Sequence, residues 1–228
     1  MISPLLGNIY LHYIFDLWAE RWRRQEAQGD MVIVRYADDL VAGFEREDDA
    51  RRFLDAMRER FAAFALSLHS DKTRLIEFGH HAAARRARRG LGKPETFNFL
   101  GFTYICGLSR RGRFKLQRKT RRDRMRVKLQ EIKVELRRRM HQSIPEQGSW
   151  LKKVVTGHSA YYAVPTNARA LSAFRHYVTD LWRRTLRRRS QKDGFTWARM
   201  SKLADGWLPA PRILHPWPDP RFAVTHPR

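Results

Sequence analysis

The feature that most constrains this chain is the tetrapeptide Tyr36-Ala37-Asp38-Asp39, set between the apolar runs Met31-Val32-Ile33-Val34 and Leu40-Val41-Ala42-Gly43-Phe44. Two short strand-like runs around two adjacent carboxylates predict a β-hairpin with the acids at or beside its tip. Adjacent acids repel, so an apolar hairpin is a poor place for them unless a cation neutralises them. Mg²⁺ suits the position, because it takes oxygen ligands and keeps substrate phosphates in its shell. Two such ions about 4 Å apart can clamp the attacking and leaving oxygens of a phosphoryl transfer. A solvated acidic turn would read the same way, so the hairpin alone leaves both meanings open.

Charge narrows the field of partners. The 228 residues carry 46 Lys+Arg against 23 Asp+Glu, a net charge of +23 and a pI near 11.2. Such a field calls for a polyanion, nucleic acid or an anionic membrane. No apolar run approaches the roughly 18 residues of a spanning helix, and the N-terminus does not read as a signal peptide. Nucleic acid is therefore the expected partner and the cytoplasm the expected place, with no membrane. At 43% hydrophobic the chain can bury a core. Its single cysteine, Cys106, excludes an internal disulfide and a Cys-rich zinc site, and its apolar surroundings suggest packing.

Periodicity orders the elements. Ser3-Pro4 suits a helix start, and Leu5, Leu6, Ile9, Tyr10, Tyr13, Ile14, Leu17 and Trp18 follow at helical spacing. After the hairpin, residues 48–66 form an amphipathic helix with Ala50, Phe53, Leu54, Met57, Phe61, Phe64 and Ala65 on its buried stripe. A strand is expected at 74–78, and residues 80–96 read as an exposed basic loop. Residues 97–105 look like one strand in which Gly101 marks a bulge or a close backbone approach; residues 113–116 are a candidate return strand. Met125, Leu129, Ile132, Leu136 and Met140 then give a long helix with a narrow seam. Further helices are expected from 145 or 146 to 162, from 167 to 189 and from 197 to 204, before a Pro-rich tail. The class is α+β.

With these blocks in view the chain resembles the reverse transcriptase/maturases encoded by group II introns. Ile2-Ser3-Pro4-Leu5-Leu6-Gly7-Asn8-Ile9-Tyr10-Leu11-His12 looks like the helix that follows the family's Gln-Gly-Gly turn. Arg35-Tyr36-Ala37-Asp38-Asp39 is similar to its metal-site hairpin, and Leu68-His69-Ser70-Asp71-Lys72-Thr73 to its next palm motif. Phe97-Asn98-Phe99-Leu100-Gly101-Phe102 resembles the hairpin that supports the primer end. Residues 118–217 resemble the thumb, with Trp150-Leu151, Tyr161-Tyr162-Ala163-Val164-Pro165, Leu181-Trp182-Arg183-Arg184 and Ile213-Leu214-His215-Pro216-Trp217 as its matching blocks.

The resemblance implies a partial polymerase palm, an antiparallel sheet with packed helices, over residues 1–113. An all-α thumb/maturase domain would follow over 114–208, and a Pro-rich extended tail over 209–228. It implies Mg²⁺, two ions in a complete member, on Asp38 and Asp39, with Asp38 the firmer ligand. Lys72 would place a proton or a positive charge near the leaving pyrophosphate, although a solvated turn lysine reads identically. Tyr36, Ala37, Phe99, Leu100 and Gly101 would support primer and template; strand packing is the plainer use of the same side chains. Its partners would be group II intron RNA, an RNA/DNA primer-template and deoxynucleoside triphosphates; no protein partner is identifiable.

The basic surface is a second expectation. Residues 81–140 hold 20 Lys/Arg against 4 Asp/Glu, a density that phosphate contact explains better than solubility. Arg121, Arg122, Arg124, Arg126, Lys128, Lys133, Arg137 and Arg138 are the candidate RNA contacts. Trp150, Tyr161, Tyr162, Tyr177 and Trp182 stand at helical spacings, so most should be core and one or two could stack on bases.

Departures from the family pattern set a further expectation. Gly7 replaces the usual Ala, and Ser70-Asp71 the frequent Pro-Glu. The family's fingers, its first palm strand with another metal-binding Asp, and the Gln-Gly-Gly turn all precede the block at residue 2. Met1 stands where the family has Val, which suggests an internal GTG, or a decayed frame, taken as the start. A chain so shortened should hold Mg²⁺ weakly and lack polymerase activity alone. A non-catalytic RNA-binding splicing cofactor and a decayed fragment are the alternatives.

Overall fold

The first 25 residues wind along one helical path with a fault in it. α1 (Ser3–Leu11) passes into a π-turn at His12–Asp16 and then into α2 (Leu17–Gln25). The inserted residue rotates the inward face, so Ile14, Phe15, Ala19 and Trp22 are buried, whereas Tyr13 and Leu17 are exposed. This corrects the regular stripe expected over residues 5–18, whose Leu5, Leu6, Ile9 and Tyr10 also face outward. Two side chains hold the path in place: the Ile14 carbonyl accepts from Arg60 Nε at 3.1 Å, and the Tyr10 hydroxyl donates to the Phe64 carbonyl at 3.0 Å.

β1 (Met31–Tyr36) and β2 (Asp39–Phe44) form the expected hairpin, antiparallel from Met31↔Phe44 to Tyr36↔Asp39. α3 (Glu47–Ala62) covers one of its faces. Phe53 is the hub of this core, within 5.0–5.3 Å of Trp22, Trp18 and Phe44 ring to ring. Asp49, buried in the first turn of α3, accepts from the Gln28 and Gly29 N–H groups and from Arg52, which fixes the turn into β1. α3 stops short of the expected residue 66. Ala65 lies in the left-handed region at φ 56°, and the Leu66 and Ala65 N–H groups close on the Phe61 and Ala62 carbonyls. That is the Schellman way of ending a helix, with Ala where Gly is usual.

These elements make one compact unit, Met1–Glu77, and the rest a second, Phe78–Arg228; the structure describes residues 3–189 and 195–217 in a computed structural model. The side chains of Ser3 and Pro4 fall outside the described residues, and with them the expected cap. Residues 74–78, expected as a strand, have no regular secondary structure and join no ladder among the described residues. A segment of strand composition becomes a strand only when a neighbour pairs with it.

The second unit opens with another correction. The basic stretch 80–96 holds a short helix, α4 (Ala82–Arg88), because Ala-Ala-Ala-Arg-Arg-Ala-Arg is made of strong helix formers. Gly90 at φ 67° ends it, with Leu91 N–H on the Arg86 carbonyl. Residues 97–105 are not one strand. β3 (Phe97–Phe99) turns at Leu100-Gly101 into β4 (Phe102–Leu108), which pairs with β5 (Phe114–Thr120). Leu100 (φ 45°) and Gly101 (φ 75°) both take positive φ, the signature of a type I′ hairpin turn. Alternation hides such a turn, since both strands keep the same period.

α5 (Arg122–Arg138), α6 (Ile144–Tyr162), α7 (Ala168–Arg187) and α8 (Trp197–Trp207) follow close to expectation. A capping box between Ser143 and Glu146 starts α6, and Thr196 caps α8. Ile132, Leu136, Leu151, Val155, Phe174, Val178, Trp182 and Met200 form the bundle core. Trp182 carries its one donor into that core and gives it to Gln147 Oε1 at 2.8 Å. Sheet and bundle are stitched by Asn167, whose amide accepts from Thr120 N–H and donates to the Thr120 hydroxyl. The Pro-rich segment after residue 208 runs without regular structure to Trp217, and the Leu214 and His215 N–H groups donate to the Ala163 carbonyl. Pro218 and Pro220, part of the expected tail, lie outside the described residues. No described helix is long and apolar enough to cross a membrane.

Candidate functional site

At the hairpin tip the chain reverses through Ala37 and Asp38, with Asp39 the first residue of β2. Ala37 is held at φ 54°, left-handed space that costs a residue with a Cβ about 1 kcal/mol. Strand packing, the plainer reading of Ala37, does not describe a turn residue. Something must fix this conformation, and Arg35 does so. Its Nη1 donates to the Ala37 carbonyl at 2.9 Å and to Asn8 Oδ1 at 3.0 Å. Its Nε and Nη2 grip Asp16 in a two-pronged pair at 2.7 and 2.6 Å. The turn is therefore tied through one guanidinium to α1 and to the π-turn. The hydrogen bond from Arg35 holds the Asp16 carboxyl below the ordinary carboxylate value, against the opposing effect of burial, with His12 adding to the lowering.

Asp38 and Asp39 are both exposed, and neither carboxylate has an ion-pair or hydrogen-bond partner among the described residues. The nearby cation Arg35 is already taken by Asp16. Two uncompensated carboxylates on a braced turn fit Mg²⁺ in donor type, hard oxygen anions with open sides. In number they fall short, because no group of three or more His, Cys, Asp or Glu able to hold a metal occurs among the described residues. Tyr36 stands beside them, 66% exposed, on the outer face of β1 with Val32 and Val34. Lys72 sits in an exposed turn closed by its own N–H and that of Thr73 on the His69 carbonyl; no described contact ties its ammonium to the aspartates.

Phe99, Leu100 and Gly101 belong to the other unit. Phe99 is buried and packs, as its plainer reading had it, while Leu100 and Gly101 form the type I′ turn. The Leu100 carbonyl accepts from the Tyr161 hydroxyl at 2.9 Å. A Cβ on Gly101 would lie 2.8 Å from Tyr162 Oη, so the close backbone approach read from Gly101 is to a tyrosine of α6.

On α5 the eight candidate RNA contacts divide. Arg121 pairs with Asp123, Lys128 with Glu131 and Arg138 with Glu135. Arg122, Arg124, Arg126, Lys133 and Arg137 are exposed and make no described ion pair. Of the aromatics, Trp182 is fully buried, Trp150 is half-buried under the Arg139 guanidinium, and Tyr161 and Tyr177 are half exposed. Motif reading missed Arg35, Asp16 and the tyrosine anchors. Arg35 stood inside the matched block, but a strand residue gives no sign of which carbonyl it will reach.

Residues 1–104 match the family model described as reverse transcriptase (RNA-dependent DNA polymerase). The match takes in the aspartate hairpin and the Leu100-Gly101 turn, and it supports a reverse transcriptase-type polymerase domain for that segment. No curated protein matches the chain.

Proposed function

We propose that this chain is a group II intron reverse transcriptase/maturase, with palm residues over 1–113 and thumb/maturase residues over 114–208. The observation that carries the polymerase half is the Asp38–Asp39 pair on a turn that Arg35 holds in a strained conformation, inside the segment that matches the reverse transcriptase family. Strain held from outside is typical of functional sites. Reverse transcriptases join deoxynucleoside triphosphates to a primer on a nucleic-acid template and use divalent metal ions. Here Asp38 and Asp39 would hold Mg²⁺, which supplies charge stabilisation to the attacking and leaving oxygens. The chain's own residues do the rest. Arg35 sets the direction of the carboxylates, Tyr36 beside them would meet primer or template, Lys72 faces solvent, free to meet a phosphate, and the Leu100-Gly101 turn is a separate candidate primer contact in the second unit. The exposed cations of α5 support the maturase half, intron RNA binding that assists splicing.

The polymerase half is tested by Mg²⁺-dependent extension of a DNA primer on an RNA template, with Asp38→Ala alongside. Because the described residues offer two carboxylates and no third, extension by this chain alone is expected to fall below detection. Robust extension abolished by Asp38→Ala would overturn that expectation and show the pair to suffice. The maturase half is tested by RNA affinity against salt: a steep fall is expected, and a flat response removes it.

A further inference from the structure

On the RNA-binding reading just proposed, seven cations of α5 and Arg121 at its N-cap are equivalent candidates; the structure makes them unequal. At 100° per residue, Arg122, Arg126, Lys133 and Arg137 fall within roughly 60° of one another around the helix. They also spread over about 22 Å of its axis, since they span 15 residue steps of about 1.5 Å each. All four are exposed and without a described ion pair. The stripe borders the buried face of Ile132 and Leu136, so it lies on the shoulder of a helix that the bundle holds in place. The acids lie elsewhere. Glu131 and Glu135 sit on the opposite flank and neutralise Lys128, Arg138 and Arg139, and Asp123 is turned to Arg121 by two hydrogen bonds. Arg124 makes no described ion pair but lies on that far flank too.

We infer that Arg122, Arg126, Lys133 and Arg137 form a linear track for the phosphates of one RNA strand, and that the other α5 cations contribute only to the general field. A strand carries a charge about every 3.4 Å, so the track faces about six or seven phosphates and offers four fixed cations to them. Gln130 lies exposed beside this stripe, between Arg126 and Lys133 along the axis and about 20° beyond Arg137 around the helix.

Two variants of the full chain separate a track from a field, because each loses four positive charges. One changes Arg122, Arg126, Lys133 and Arg137 to Gln; the other changes Arg121, Arg124, Lys128 and Arg138 to Gln. Gln is a good helix former, so α5 should survive both. The readout is the slope of log K against log salt for a single-stranded 20-nucleotide RNA. Removing the track should lower the slope by about 3, that is four contacts at about 0.7 each, and the second set by about 1 or less. Equal losses overturn the track while leaving RNA binding intact; no salt-dependent binding by the natural sequence instead defeats the underlying reading. Gln130→Lys adds a cation beside the stripe and should steepen the slope by about 0.7. An unchanged slope in Gln130→Lys counts against the track even if a quadruple variant fails to fold.

Discussion

Gly101→Ala tests whether the Leu100-Gly101 turn is fixed by its helix neighbour as well as by its own conformation. Two costs are expected. Gly101 sits at φ 75°, where Ala is disfavoured by about 1 kcal/mol. The new Cβ would also meet Tyr162 Oη at 2.8 Å, while Tyr162 Cε1 and Cζ lie at 3.5 and 3.6 Å, ordinary contact. The phenol cannot swing aside freely, because it packs on Phe102, His158 and Tyr161 with ring centroids 5.2, 4.5 and 4.8 Å away. Overpacking of this kind costs about 1–3 kcal/mol, so Gly101→Ala alone should lose about 2–4 kcal/mol. Tyr162→Phe deletes the only atom under 3 Å, and its hydroxyl has no described hydrogen-bond partner, so alone it should cost under about 0.5 kcal/mol. The double variant should then show only the φ penalty, about 1 kcal/mol, which leaves a coupling of about 1–3 kcal/mol between the sites. Urea unfolding followed by tryptophan fluorescence measures all three. Additive losses would refute the steric argument and leave φ as the whole cost.

Gly148→Ala in α6 should destabilise by about 1–2 kcal/mol although Ala favours a helix, since its Cβ would meet Trp207 Cδ2, Cγ and Cε2, the farthest at 2.8 Å; a more stable variant in thermal unfolding would defeat this. Asp16 has a lowered folded pKa, so its pairing with Arg35 stabilises fully above the ordinary 3.8 and is lost as pH falls through the lower folded value; Asp16→Asn should flatten this acid limb in urea midpoints. Burial, then the charge of Lys128, pushes the His158 imidazole down from 6.5 to about 4. The unfolded chain therefore binds the proton first, and stability should fall by up to about 1.4 kcal/mol per pH unit from pH 6.5 towards about pH 4. His158→Phe keeps the stack on Phe174 and discards a buried nitrogen that has no hydrogen-bond partner among the described residues, so it should abolish that slope; an unchanged slope would place it elsewhere.

Helices and hairpins were legible where local pattern decides them. The Asp-Asp hairpin and α5 through α8 needed only alternation, the seam from Met125 to Met140, and helical spacing. What stayed hidden depends on one residue in a particular register or on a partner far away in sequence. A π-turn at His12–Asp16 leaves no compositional mark, yet it moves the buried face and aims Asp16 at Arg35. Ala65 in left-handed space ends α3 early, where a sequence reader looks for Gly. Leu100-Gly101 breaks one apparent strand in two because hairpin strands share a period of two. Residues 74–78 have strand composition, but pairing is a tertiary fact. Among the candidate site residues, the aspartates were legible by motif, and the inequality of the α5 cations was not, since it depends on where Asp123, Glu131 and Glu135 point.

The two turns that matter for the proposed polymerase are built alike. In each, the first central residue is not glycine and has positive φ, Ala37 at 54° and Leu100 at 45°. In each, the carbonyl of that residue is held by a long side chain, Ala37 by Arg35 and Leu100 by Tyr161. A hydrogen bond of this kind contributes about 1 kcal/mol, enough to offset the left-handed penalty and make the strained turn the stable one. The anchors differ in one respect that has consequences. Arg35 is itself oriented by Asp16, which titrates, whereas Tyr161 is bonded straight to its carbonyl. Acid that protonates Asp16 frees Arg35 and loosens the aspartate turn, and it leaves the Leu100-Gly101 turn as it was. If Asp38 and Asp39 hold the proposed metal, its affinity should therefore weaken as acid releases their brace. Asp16→Asn releases the brace at neutral pH: weaker Mn²⁺ binding, read by paramagnetic broadening, is the expected result, and unchanged binding would mean that Arg35 holds the turn without its aspartate.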